Sequence, residues 1–333
     1  MTVTIGRREL LAALGGAVAG WPPVARAQQG ERMRRVGVLY ALDAGDAEAE
    51  ARNRVFEQSL RALGWTVGQD LKIDYRYGGA DRIRQYAAEL AALAPDVIMP
   101  IGSATVAPVQ QAAPTIPIVM VNVADPVGAG FVQSLARPGS NTTGFTNFEY
   151  SLSGKWVELL KQIAPHVTRA VVLRDPTTAA GIGQFAAIQS VAQSLTVELT
   201  PVGVRDLGEI ERTVAALART AKGSMIVTVG SGVGVHRKLL IGLVARHKLP
   251  AAYPYRYYVK DGGLISYGPD THDLVRRAAQ YVARILKGRK TSRPAGAGAH
   301  EVRARNQPQD RQGAWPRNST NAHRARRRGD RMT

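Results

Sequence analysis

At 333 residues the chain is long enough for two domains, and with no cysteine it excludes disulfides, zinc–thiolate sites, thiol nucleophiles and a lipid-anchoring cysteine. The formal charge of +18 gathers at the ends: residues 289–333 hold twelve basic against three acidic side chains and residues 1–27 three against one, leaving +7 on the 261 residues between. Basic charge confined to two termini is not a nucleic-acid-binding face, so no nucleic-acid partner is expected.

The N-terminus reads as an export signal, residues 1–27. Arg7 and Arg8 precede a short apolar run from Leu10 to Gly20, and Ala25 and Ala27 supply the small residues of a cleavage site. The context fits either a twin-arginine or a general secretory signal. The exported chain would then begin near Gln28, outside the cytoplasm. No second long apolar segment follows.

Residues 28–147 read as a first lobe. Strands are expected over 35–40, 71–77, 97–101 and 118–123, and amphipathic helices over 47–63, 83–93 and from Ser103. Residues 148–260 repeat the plan without repeating the sequence. Helices are expected over 155–163, 183–195, 207–221 and 237–247, with strands over 170–173, 197–202 and 224–229 and the segment 249–253 after the last helix. Residues 261–290 add a short strand near Gly262–Pro269 and a helix ending at Leu286. Strands alternating with helices through short links predict parallel, doubly wound sheets. Arg276 and Arg277 are expected on the solvated side of the last helix. After Leu286 neither Leu nor Ile occurs, and residues 291–333 read as a disordered basic tail.

The stretch from Ile116 to Phe145 is the most distinctive. Pro117 and the β-branched run Ile118, Val119, Val121, Val123 give way at Asp125 and Pro126 to a Gly-rich, hydroxyl-rich segment, read as a loop. The string DPVGAGFVQSLARPGSNTTGF resembles the signature of an ABC-transporter substrate-binding protein family that includes tryptophan- and phenylalanine-binding members. The resemblance runs from Arg35 to Gly288, through Gly64 and Trp65, Asp96 to Ile98 and Gly262 to Pro269. It implies a periplasmic-binding-protein type I-like fold, with two parallel-sheet α/β lobes joined by a hinge. It further implies an extracytoplasmic, periplasmic protein that closes on a small amino-acid-like ligand and docks on a membrane ABC permease driven by a separate ATPase. A sensor that informs a membrane receptor is the competing reading. The last helix would return to the first lobe.

Candidate ligand contacts cluster where strands end. Gly102 to Thr105 offers backbone N–H groups and the hydroxyls of Ser103 and Thr105 at a helix N-terminus, suited to a carboxylate; Ser103 could equally cap its own helix. Ala104, Ala124 and Asp125 share that strand-end region. Tyr40 could stack on a ligand or pack on its own helix. In the second lobe Asp175, Gly230, Ser231 and Tyr253 follow strands. Asp175 is the candidate ammonium partner, its alternative being a helix cap. The six histidines form no metal spacing, and no nucleophile elbow, P-loop or dinucleotide fingerprint is present. Neither enzymatic activity, a metal nor a cofactor is expected.

The tail carries one more expectation. Read one nucleotide later, from about Arg293, allowed codons recover the family's usual continuation, beginning D-L-P-V-Q, and the codons of Met332 and Thr333 then contain a stop. The tail is expected to be out of frame, its alternative being a genuine basic tail.

Overall fold

The computed structural model describes residues 32–79, 81–203, 207–220, 222–230, 234 and 236–288. The expectations for the signal segment and for the basic tail lie outside the described residues.

The first lobe runs β1 (Arg34–Tyr40), α1 (Ala47–Ala62), β2 (Leu71–Tyr77), α2 (Ile83–Ala92), β3 (Val97–Ile101), α3 (Ser103–Ala112), β4 (Ile118–Ala124) and β5 (Thr142–Phe148). The strands pair in parallel in the order β2-β1-β3-β4-β5. Alternate residues of β1 serve opposite faces, as the two-residue period of a strand requires. Val36 and Val38 pack with Phe56 and Leu60 of α1, whereas Leu39 packs with Ala87 and Leu90 of α2 and Val109 of α3. Both faces are thus buried, which is why these strands read as continuous apolar runs.

A 3₁₀ turn (Tyr150–Gly154) leads into the second lobe: α4 (Lys155–Ile163), β6 (Arg169–Leu173), α5 (Ala179–Ser194), β7 (Glu198–Val202), α6 (Leu207–Ala218), β8 (Gly223–Val227), α7 (Arg237–Arg246), β9 (Ala251–Tyr253), α8 (Arg256–Lys260) and β10 (Ile265–Ser266). Its parallel order is β10-β9-β8-β6-β7. Pro201 is tolerated in β7 because that strand lies at the sheet edge. Helix α9 (Thr271–Leu286) then packs Leu274, Val275, Ala278, Ala279 and Val282 against the α1 face of the first sheet. The two-lobed α/β architecture expected from sequence is the one observed.

Four differences are informative. Residues 142–148, read as loop, form β5, an edge strand. Gly144 makes this possible: at φ +148 it lies so close to β4 that a Cβ there would overlap the Met120 carbonyl. Helix α5 starts at Ala179 rather than Gly183, because Thr178 caps it, its Oγ1 accepting from Gly181 N at 3.1 Å. The short helix α8 was not expected. Arg277 lies over the Phe145 ring, 4.7 Å from its centre, while Arg276 stays exposed and pairs with Asp273.

Candidate functional site

Open parallel sheets bind ligands beyond the carboxyl ends of strands where the strand order reverses. In the first sheet the reversal lies between β1 and β3, which lead into residues 41–46 and Gly102. In the second it lies between β6 and β8, which lead into Arg174 and Thr228. Ser103, Ala104 and Thr105 follow the first reversal, and Asp175 and Gly230 the second. Ser231 lies outside the described residues.

Gly102, at φ +99, turns the chain sharply into α3, and no side chain caps that helix. Ser103 is not spent on its own helix: its Oγ accepts from Ala124 N at 3.1 Å, tying α3 to the end of β4. Thr105 is buried, and its Oγ1 donates to Gly102 O at 2.8 Å. Ala104 is exposed and Ala124 fully buried. Asp125, at φ +36, accepts from Gly128 N at 2.9 Å. Burial, with the Asp125 carboxylate nearby, pushes the Tyr150 hydroxyl up to about 12. Asp175 uses Oδ1 locally, accepting from Thr177 N at 2.9 Å and Thr177 Oγ1 at 2.6 Å.

Two expected aromatic contacts lie in the core. Tyr40 is 1 % exposed, stacks on Tyr77 at 5.3 Å and donates to Asn53 Oδ1 at 2.9 Å. Tyr253 is fully buried and stacks on Tyr258 at 5.2 Å. Burial raises both hydroxyls above their ordinary range. Neither ring stands on the rim of the cleft.

Residues not expected from the sequence lie where the lobes meet. Asn122, at φ +60, sits at a register shift in β4. Asn147, at the end of β5, donates through Nδ2 to Asn122 Oδ1 at 2.8 Å and to Tyr255 Oη at 2.7 Å. On α1, Arg52 Nε donates to Glu48 Oε1 at 3.0 Å, and its guanidinium lies 5.4 Å from the centre of the Tyr257 ring of α8. Glu48 Oε1 also accepts from Thr271 Oγ1 at 2.8 Å. Burial pushes the Tyr257 hydroxyl up to about 12, with the Arg52 and Arg237 charges opposing it. Asn147 Oδ1 and Arg52 Nη2 are buried without a hydrogen-bond partner among the described residues. A signal for this set exists in the sequence: Glu48 and Arg52 stand eight and four residues before Phe56, on the apolar stripe of α1.

These groups are hydrogen-bond donors, acceptors and fixed charges. Among the described residues no cluster of His, Asp and Glu is disposed to hold a metal ion, and no helix is long and apolar enough to cross a membrane.

Comparison with known proteins accords with this architecture. Residues 35–294 match the family described as ABC transporter substrate binding protein. A tyrosine-binding protein of Clostridioides difficile is 24% identical over 262 residues, covering 78% of this chain and 74% of that protein. A conserved domain protein of Vibrio cholerae superposes with a TM-score of 0.70 at 26% identity, over 78% of this chain and 86% of the other. An ABC domain in complex with L-Trp, from Streptococcus pneumonia, gives 0.70 at 22% identity over the same shares. With its family matched over most of its length and its two parallel-sheet lobes in place, this chain belongs to the ABC transporter substrate-binding protein family.

Proposed function

We propose that this protein, exported to the periplasm, captures a small amino-acid-like ligand between its lobes and presents it to a membrane ABC permease. The observation that carries the reading is the match over residues 35–294 to a substrate-binding family. The relatives named for tyrosine binding and solved with L-Trp point the ligand class toward amino acids. The N-terminus of α3, with Ser103, Ala104 and Thr105, would take the carboxylate, since a helix start offers free N–H groups and partial positive charge. Asp175, from the opposite lobe, would take the ammonium. A ligand held by both lobes favours the closed arrangement over the open one by its difference in affinity. The protein binds its ligand and leaves it chemically unchanged.

A thermal-shift screen of amino acids and small organic acids tests this. A ligand at 100 times its Kd stabilises a protein that binds it only when folded by about 2.7 kcal/mol. One or more amino acids should raise the Tm, whereas a flat response across the whole set would refute the ligand class.

A further inference from the structure

Asp46 and Arg237 face each other across the cleft, one from each reversal of strand order. Arg237 opens α7 and is 2 % exposed; its Nε donates to Asp261 Oδ2 of the same lobe at 2.6 Å. Its Nη1 lies 3.0 Å from Asp46 Oδ2 on the opposite lobe, an ion pair whose geometry makes no hydrogen bond. Asp46 divides its carboxylate between two tasks. Oδ1 caps α1, accepting from Glu48 N at 2.9 Å and Ala49 N at 3.2 Å, and Oδ2 reaches Arg237. Beside this pair the Tyr257 ring has a guanidinium from each lobe near it, Arg237 at 4.8 Å and Arg52 at 5.4 Å.

Breaking a buried ion pair is ordinarily severe because a charge is left desolvated and alone. Here neither partner is left so. When the lobes part, Arg237 keeps Asp261 and Asp46 keeps the N–H groups of α1. The contact therefore favours closure without locking it, as a reversible binding cleft requires.

We propose that Asp46 and Arg237 are positioning residues that form an inter-lobe clasp, setting the balance between open and closed arrangements. Its effect on ligand capture rests on the closure reading above, but the clasp itself can be measured with no ligand present. The chain has no cysteine, so Gln58→Cys on α1 and Ala245→Cys on α7, both exposed, accept a pair of spin labels on the otherwise unchanged full chain. Asp46→Asn keeps a capping oxygen and removes the charge that meets Arg237. In the ligand-free protein it should raise the ratio of long to short inter-label distances roughly twofold to fivefold, the scale of an ion pair without a hydrogen bond. Arg237→Met, made from the other side, should do the same and covers the case in which α1 loses its cap. Asp261→Asn leaves the inter-lobe contact in place and should not lengthen the distance. The proposal is overturned if Asp46→Asn and Arg237→Met both reproduce the parent distribution, or if Asp261→Asn lengthens it as much as they do. Because no ligand is added, failure of the amino-acid reading would leave this result standing, and the reverse also holds.

Discussion

Arg35 and Asp74 pair across neighbouring strands β1 and β2, and the guanidinium, by its hydrogen bond, holds the Asp74 carboxyl below the usual range. A carboxyl depressed in the folded state contributes stability that is fully present above its unfolded value, near 3.9, and lost as pH falls through the lower folded one. Asp74→Asn should therefore flatten the acid side of the stability–pH curve, measured by urea unfolding between about pH 2 and 5. An unchanged acid limb would remove this pair from the account. At the proposed ligand site, Ser103→Ala and Asp175→Ala should each weaken amino-acid binding by about 1.5–3 kcal/mol, the range for hydrogen bonds to charged groups. Titration calorimetry checks this, and wild-type affinity in both variants would show the pocket is elsewhere. Strand-end hydroxyls were legible because strand ends and glycines announce themselves. Arg52, Glu48 and Arg237 were not, because charged side chains on a helix usually face solvent. What buries these three is tertiary: Thr271 meets Glu48, and Tyr257 lies beside both arginines.

At the scale of elements, the strands buried on both faces were read nearly to the residue, since a β-branched run bounded by turn residues has few other uses. β5 escaped because its Thr-rich segment contains Gly144, which in isolation argues for a loop. The glycine is there for a close approach: β5 can pair with β4 from Ile118↔Thr142 onward only if no side chain stands at residue 144. Gly144→Val, which suits a strand by propensity, should thus destabilise the protein by about 1–3 kcal/mol or more, the cost of forcing atoms into a packed site. Denaturant unfolding measures this. A neutral effect would mean that β5 can move away from β4 without loss. Helix α9 makes the converse point. Asp270 caps it through His272 N at 2.9 Å, and its apolar stripe completes the first lobe. Its periodicity was plain in the sequence, whereas the lobe it joins was implied only by family resemblance.

For the whole molecule, alternation of strand and helix was enough to expect two parallel-sheet lobes, but not how they meet. Contacts such as Asn147 with Tyr255 join residues 108 positions apart, and no local pattern encodes them. The match stops at residue 294, next to Arg293, from which the basic segment is expected to be out of frame. The residues from 293 onward contain neither Leu nor Ile. A continuation in the expected frame would carry Leu and Ile, and each roughly 100 Å² of apolar surface it buried would be worth about 2.5 kcal/mol. Resequencing the gene across codons 289–293 should therefore reveal a missing or additional nucleotide. The frame-corrected protein should melt above the present chain by several degrees in scanning calorimetry, with a larger unfolding enthalpy from the added packed residues. An unaltered gene sequence would overturn the frame reading, and equal melting temperatures for the two proteins would show that the family's continuation adds no stability.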